Sequence, residues 1–443
     1  MKPERRDLSL YIHIPFCKSK CIYCDFLSFG GCGYDQQKLY IDALCKEIAA
    51  YSKVAKDYRV RTIFIGGGTP SYLEADLIKQ VMQTVYSVFK VDENAEITME
   101  GNPDSLKTDK LKIYKQLGIN RLSIGLQSAN DAMLKTLGRV HNYEQFTNAY
   151  QCAREMGFHN INVDVMSGLP GETKKSYLDT LEKVLALKPE HISAYSLIVE
   201  EGTPLNGMME LLDILPHEEE DRVMYAETKK VLLENTYKRY EISNYARDGY
   251  ECRHNIVYWT GGEYLGVGLG AASYLTIRLN EKKYKKIRFH GVESIDEYIG
   301  RFSKCDGMQE DAYTNIYHFY EEQNDEYGEW NGFDSFYETQ SQSSYDEYEE
   351  NELLQFLRDY YKDLYFLKRK DEMEEFMFLG LRLMKGVSKE EFKKRFNVTI
   401  ESIYGKIIDK YKEKKLLLEE EDRIFLSDMG IDVSNVVMAE FML

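Results

Sequence analysis

The chain has 443 residues, 74 acidic against 57 basic side chains and a formal net charge of −17 at pH 7. That balance argues against a general polyanion binder, which needs a basic footprint to displace counterions, so no nucleic-acid partner is expected. Its apolar fraction is 43%. No run approaches the ~18 consecutive apolar residues of a membrane span, and no leader-like apolar stretch precedes the first cysteine. The expectation is a soluble, cytoplasmic protein of two or three domains that meets membranes only through partners.

From residue 8 to about 198, short β-rich apolar runs alternate with longer amphipathic ones, the pattern of a parallel sheet with crossover helices. Strands are expected at 8–14, 62–65, 96–100, 121–125, 160–166 and 191–196, with helices beginning near Tyr34, Ala75, Thr108, Tyr143 and Lys174. Six such units suit an α/β fold built as a partial (β/α)6 barrel, and an open doubly wound sheet fits the same periodicity. In either fold, sites gather at the carboxyl ends of the strands. There the chain places residues 15–24, 66–70, 102–103, 127–128 and 168–171.

Beyond residue 200 the alternation weakens. A helix is expected from about His217 to Asn235 and a strand near 240–242, followed by the run GGEYLGVGLGAASY. Residues 309–352 hold 14 acidic side chains and no Lys or Arg, leaving 60 acidic against 57 basic elsewhere. Their 11 aromatics are more than an ordinary polar disordered tract carries. From Glu372 onward come three helical stretches, a hairpin in KKLLLEEEDRIFLS and a last helix near 435–443, which together read as a small, mainly helical, winged-helix-like domain. The expected division is a barrel over 1–235, an extension over 236–305, an acidic Tyr-rich insertion over 306–352 and a C-terminal domain over 353–443.

Eight cysteines at irregular spacing do not form a disulfide framework in a reducing compartment, so clustered ones become candidate metal ligands. YIHIPFCKSKCIYCDF sets Cys17, Cys21 and Cys24 at i, i+4 and i+7 in a loop after the first strand. Thiolates suit iron–sulfur clusters or zinc. A cubane held by three cysteines keeps one iron open, able to chelate the amino and carboxylate groups of S-adenosylmethionine and bring its sulfonium within reach of an electron. The alternatives are a zinc site completed by His13 and plain core cysteines, against which the CxxxCxxC spacing counts because zinc modules show CxxC pairs. GGGTP either brings backbone close to a ligand or makes a tight strand-to-helix turn. A phosphate loop is disfavoured because no Gly-Lys-Ser/Thr follows.

These motifs resemble the radical SAM superfamily, and within it the branch of oxygen-independent coproporphyrinogen III oxidase and its heme-chaperone relatives. The resemblance runs from about residue 8 to 273 and resumes at 372. It rests on YIHIPFC, GGGTP, EGNP at 100–103, SIGLQS at 123–128, LGR ending at Arg139, NVDVMSGLPGET at 162–173, YEISNYA at 240–246 and HNIVYW at 254–259. It implies a 4Fe–4S cluster on Cys17, Cys21 and Cys24. It also implies S-adenosylmethionine held at its amine by Gly67, Gly68 and Thr69, at its carboxylate by Arg139 and at its ribose hydroxyls by Asp164. Glu100 and Gln127 would line the same ligand, and Tyr11 and Tyr23 would flank cluster and cofactor.

Two departures separate the branches. Phe26 stands where the oxidases carry a fourth cysteine, and only 16 residues precede Cys17. Both favour the chaperone reading: heme as cargo, acceptor hemoproteins that include membrane-bound ones, an electron donor, and no coproporphyrinogen decarboxylation. The oxidase is the second reading. In HNIVYW the resemblance gives His254 to heme iron, with Tyr258 and Trp259 as flat apolar faces and Cys252 as a competing ligand. The bland alternative is a buried histidine beside core aromatics. The C-terminal domain is expected to cover the barrel mouth and contribute a homodimer contact. No catalytic residue is assigned.

Overall fold

The computed structural model describes residues 5–278, 284–304 and 352–442. Of the expected acidic insertion, all but Glu352 lies outside the described residues.

Six strands, β1 (Arg6–Ile14), β2 (Tyr58–Gly67), β3 (Val91–Gly101), β4 (Arg121–Gln127), β5 (Ile161–Ser167) and β6 (His191–Ser196), run parallel and neighbour one another strictly in chain order. That order decides between the two candidate folds. A doubly wound sheet reverses its winding at a switch point so that helices cover both faces. With right-handed crossovers, an unreversed order puts every helix on one face and curls the other inward as a partial barrel. The crossover helices α1 (Tyr34–Ala50), α2 (Ala75–Val88), α3 (Thr108–Gln116), α5 (Tyr143–Glu155) and α6 (Lys174–Leu187) begin where the sequence pattern placed them. An additional short helix, α4 (Asp131–Thr136), is started by the Asn130 side chain, which accepts from the Ala132 and Met133 N–H groups.

The strand pleat sorts the side chains. Leu10, Ile12 and Ile14 of β1, Ile63 and Ile65 of β2, Leu122, Ile124 and Leu126 of β4, and Val163 and Val165 of β5 are buried in the main hydrophobic core. The alternate positions turn inward and are mostly polar: Ser9, Tyr11, His13, Thr62, Glu96, Glu100, Arg121, Ser123, Asn162, Asp164, His191 and Ser193. A barrel lined this way is a polar chamber, unlike one packed with layers of branched aliphatics.

After β6 come two short segments, η (Pro204–Gly207) and α7 (Met209–Leu212), and then α8 (Glu218–Glu234). The strand expected at 240–242 is instead the link between β7 (Lys238–Arg239) and β8 (Asn244–Ala246). There Glu241 turns its carboxylate onto Ser243 N–H and Asn244 Nδ2 and folds the chain into a turn. Helix α9 (Arg253–Trp259) enters the barrel at the amino ends of the strands. Strand β9 (Tyr264–Val267) then pairs parallel with β1, and β10 (Ala272–Arg278), β11 (Tyr284–His290) and β12 (Lys362–Phe366) extend the sheet antiparallel. The sheet has 12 strands in all among the described residues.

The C-terminal domain has its own core around Met377, Phe392, Tyr404, Ile424 and Phe441. Helices α10 (Arg369–Gly380), α11 (Lys389–Phe396) and α12 (Ile400–Glu413) and a three-stranded sheet of residues 387–388, 417–420 and 423–426 give the winged-helix-like arrangement. The last helix is Ser434–Ala439, shorter than the 435–443 expected. This domain does not cover the mouth. Arg382 lies over the Trp259 ring at 4.3 Å, Met384 N–H donates to Tyr240 C=O, Arg395 reaches Tyr274, and Glu375 pairs with Arg288 at 2.8 Å. These partners sit on α9 and its flanking strands, at the barrel's other end.

Candidate cluster and cofactor site

The three cysteines lie in the β1–α1 loop at the carboxyl ends of the strands. Phe16–Cys17 pairs parallel with Phe29–Gly30, so the chain leaves and re-enters at one point and pinches residues 18–28 into a loop. Within it the Cys24 N–H donates to Cys21 C=O at 3.2 Å. Cys17 is buried, and Cys21 and Cys24 are half-buried. Donors converge on the sulfurs: Thr69 Oγ1 is 3.4 Å from Cys17 Sγ, Arg139 Nη1 is 3.6 Å from Cys21 Sγ, and the Ser28 hydroxyl meets both Cys17 and Cys24. Burial pushes the Cys17 and Cys24 thiols up, while these donors favour the thiolate that metal ligation needs.

Among the described residues no three His, Cys, Asp or Glu side chains gather closely enough for a single metal ion. A cubane distributes its thiolates over separate irons, and a triad carried in one loop with a donor on every sulfur fits such a cluster. His13 is closed to zinc, with Nδ1 bonded to Tyr11 OH at 2.9 Å and Nε2 to Leu27 C=O at 2.8 Å.

GGGTP packs directly on this loop. Gly67 has φ +110°, and a Cβ there would lie 2.4 Å from the His13 ring; at Gly68 it would lie 2.8 Å from Phe16 O. The N–H groups of Gly67, Gly68 and Thr69 are committed to Glu100 Oε2 at 3.0 Å, Ile14 O at 2.8 Å and Phe16 O at 2.8 Å. The motif is therefore a tight turn locked to the cysteine loop. What it retains for a ligand amine is carbonyl acceptors.

Asn102 ties the motifs together. Its Nδ2 donates to Thr69 Oγ1 at 3.2 Å, and its Oδ1 accepts from Arg139 Nη2 at 2.8 Å, which also donates to Gly125 O at 2.7 Å. Cys17, Thr69, Asn102, Arg139 and Cys21 thus form one continuous polar circuit. Arg139 Nε is buried without a partner, a spare donor aimed at no protein atom. Gln127 ends β4 at φ +72°, a conformation a non-glycine residue adopts only when its surroundings impose it, and it accepts from Tyr195 OH at 3.2 Å.

Deeper in the chamber, burial and then the nearby Asp164 raise Glu100 to about 7. Burial also raises Asp164, against donation from Asn162 Nδ2 at 2.7 Å and Ser123 at 3.4 Å. Tyr23 packs on the small cluster of Leu137, Met166 and Leu169, and Tyr11 stacks near Phe64 at 6.3 Å. All the residues expected at the cluster and cofactor lie on this mouth and upper chamber. Ser28 and Tyr195 join them unforeseen, while Asn102 and His13 lie inside the EGNP and YIHIPFC motifs without having been given a role toward the cofactor.

His254, expected at the heme iron, lies elsewhere. It is 1% exposed at the opposite end of the barrel, with Nδ1 at 2.8 Å from Thr62 Oγ1 and Nε2 at 2.8 Å from Tyr258 OH. Thr62 donates to Ser9, so it accepts Nδ1–H, and Tyr258 O–H covers the Nε2 lone pair that iron would need. Burial, reinforced by Arg121, holds this imidazole down at about 3. Cys252 is equally closed, fully buried 3.7 Å from Glu96.

A partial parallel barrel with a three-thiol loop at its mouth is the architecture of a radical SAM protein. The Radical SAM superfamily model matches residues 11–184 and the HemN C-terminal domain model matches residues 367–433. Over 436 residues the chain is 31% identical to a protein of Lactococcus lactis named Heme chaperone HemW, covering 98% of this chain and 97% of that one. A Bacillus subtilis protein of the same name is also 31% identical, over 98% of this chain and 99% of its own, and the Escherichia coli one is 37% identical over 61% and 70%. The solved structure of Escherichia coli coproporphyrinogen III oxidase (HemN), described as a radical SAM enzyme, superposes with a TM-score of 0.75 at 20% identity, over 99% of this chain and 90% of that one, which is a likeness of fold. The chain belongs to the HemW family of the radical SAM superfamily. That superfamily implies a 4Fe–4S cluster and S-adenosylmethionine. Among the described residues no helix is long and apolar enough to cross a membrane.

Proposed function

We propose that the protein is a heme chaperone that binds heme and passes it to acceptor hemoproteins, with the cluster on Cys17, Cys21 and Cys24 and S-adenosylmethionine at the barrel mouth. The observation that carries this reading over the oxidase is Phe26: two residues beyond Cys24, where the oxidases of the resembling branch place a fourth cysteine, stands an apolar ring that is 69% exposed. The names of the full-length relatives support the same reading.

The cofactor, when bound, supplies one-electron cleavage chemistry at the open iron. The chain's part is geometric and electrostatic. The spare Arg139 Nε makes this guanidinium the receptor for the methionine carboxylate, the Gly67–Gly68–Thr69 strip offers acceptors to the amine, and Asp164 offers two oxygens to the ribose hydroxyls. Glu100 and Gln127 line the ligand, and Tyr11 and Tyr23 close the chamber beneath and beside it. An electron donor, membrane-bound acceptors and a homodimer belong to the same proposal, as does a cytoplasmic location.

The test is anaerobic. The reconstituted protein, given hemin and then an apo-hemoprotein, is expected to show a Soret band that moves to the acceptor. Given coproporphyrinogen III, S-adenosylmethionine and a reductant, it is expected to yield no protoporphyrinogen. Turnover to protoporphyrinogen with release of 5′-deoxyadenosine would make it an oxidase instead.

A further inference from the structure

Tyr240, the first residue of YEISNYA, begins a line of hydrogen bonds at the barrel floor that ends on Asp164 in the upper chamber. Asn162 and Asp164, two apart on β5, turn to the same inward face, and Asn162 lies beside His191 of β6 in the sheet register. Asn162 Nδ2 donates to Asp164 Oδ1 at 2.7 Å, and Asn162 Oδ1 lies 2.6 Å from His191 Nδ1. His191 Nε2 lies 2.9 Å from Tyr240 OH, and that hydroxyl oxygen accepts from the Cys252 N–H, at the start of α9, at 3.2 Å. The direction of each bond follows from its partners. The carboxylate accepts, so the Asn162 NH2 faces it and the amide oxygen faces His191. Nδ1 therefore carries the hydrogen, and Nε2 accepts from Tyr240 O–H. Burial, reinforced by Arg121, holds the His191 imidazole well below its ordinary range, so the ring stays neutral in this tautomer.

We propose that Tyr240, His191 and Asn162 are positioning residues for S-adenosylmethionine, acting through Asp164 on its ribose hydroxyls. This inference rests on the reading of Asp164 as the ribose acceptor. Three observations carry it beyond ordinary bonding within a core. Asn162 is 2% and His191 0% exposed, whereas Asp164 is half-buried, so the line runs out of the sealed interior and ends on the member that faces the chamber. Its donors all point one way, from Tyr240 to His191 to Asn162 to the carboxylate, and hydrogen bonds aligned in series polarise one another. The carboxylate is also braced from the side: the other Asn162 N–H donates to Ser123 Oγ at 2.8 Å, Ser123 donates to Asp164 Oδ2 at 3.4 Å, and the Ser193 hydroxyl, which donates to Asn162 Oδ1 at 3.1 Å, meets Asp164 as well. Donation of this kind favours the charged form against burial and locks the rotamer, which is what a two-oxygen acceptor for vicinal hydroxyls requires.

The test uses the full chain with its cluster reconstituted, titrated anaerobically in a calorimeter with S-adenosylmethionine and with its 2′,3′-dideoxy analogue. The wild type is expected to bind the analogue more weakly, because the diol is what Asp164 takes. Asn162→Ala is expected to raise the Kd for S-adenosylmethionine about tenfold and to leave the Kd for the analogue unchanged. Tyr240→Phe removes only the hydroxyl and keeps the ring, so it preserves the test should Asn162→Ala fail to fold; it is expected to act in the same sense by about threefold. Both variants should retain wild-type circular dichroism and iron content. Equal rises for the two ligands would reduce the line to a structural role, and wild-type Kd values for both would remove any role; either result overturns the proposal and leaves the cofactor reading standing. A wild type that binds the two ligands equally would take the ribose away from Asp164, and the relay with it. One that binds neither would remove the cofactor reading itself.

Discussion

The two ends of the barrel are built from equally polar residues and do opposite things with them. At the mouth, Thr69, Ser28, Asn102 and Arg139 surround half-buried sulfurs and leave Arg139 Nε unspent. At the floor, Glu96 accepts from Arg253 N–H, His254 N–H and Cys252 Sγ, both nitrogens of His254 are taken, and His191 is bonded to Asn162 and Tyr240. Spare donors alone do not separate the two ends, since Arg121 Nε and Trp259 Nε1 are also buried without a partner at the floor; what does is that the sulfurs at the mouth are partly open, whereas His254 and Cys252 are fully buried with their polar atoms engaged. The comparison teaches that a histidine in a recognisable motif is not thereby a ligand. Its availability depends on whether its lone pair is already in use.

The largest expected effect breaks the mouth alone. Cys24→Ala should abolish the iron–sulfur absorbance and bring iron content near zero after reconstitution, with circular dichroism unchanged; retained iron would mean that the triad is not the ligand set. Next in size, Gly67→Ala meets both a left-handed backbone and the His13 ring, and should lower unfolding free energy by about 3 kcal/mol in urea titration. The double variant with His13→Ala should recover part of that loss; no recovery would put the whole cost in the backbone.

Smaller again, Glu96→Ala should cost about 2 kcal/mol by leaving the first N–H groups of α9 without their acceptor, while iron content stays at the wild-type level. Loss of the cluster as well would show that floor and mouth are not separable. The smallest effect is in pH dependence. His254 titrates near 3 when folded and near 6.5 when unfolded, so its contribution to stability is complete above pH 6.5 and drains as pH falls from there toward 3. His254→Gln should flatten the stability curve across that window, and an unchanged slope would mean that other groups carry it.

Much of this was readable before any coordinates. Five helix starts and all six barrel strands follow from hydrophobic period and punctuation, because each unit's burial pattern is written locally. The cysteine triad and GGGTP were legible for the same reason: spacing within one loop is a property of the chain. The strand misplaced at 240–242 failed because the Glu241 carboxylate accepts from the Ser243 N–H and the Asn244 side-chain amide, a competition that periodicity does not register. Ser28 and Tyr195 were missed because single hydroxyls carry no pattern, and they reach the site only through the loop's return and the curl of the sheet.

By itself, then, the sequence determined the repeating α/β units, the three-thiol loop and the family. The tertiary structure alone decided the rest. Strictly sequential strand order, invisible in any one unit, made a barrel and not an open sheet. The entry of α9 turned His254 inward onto Thr62 and Tyr258, and the docking of Arg382 on Trp259 carried the C-terminal domain to the floor and left the mouth uncovered by it. The physical reason is common to all three. Local pattern fixes which side chains want burial or a partner, but which partner each one meets is set by contacts between residues tens to hundreds of positions apart.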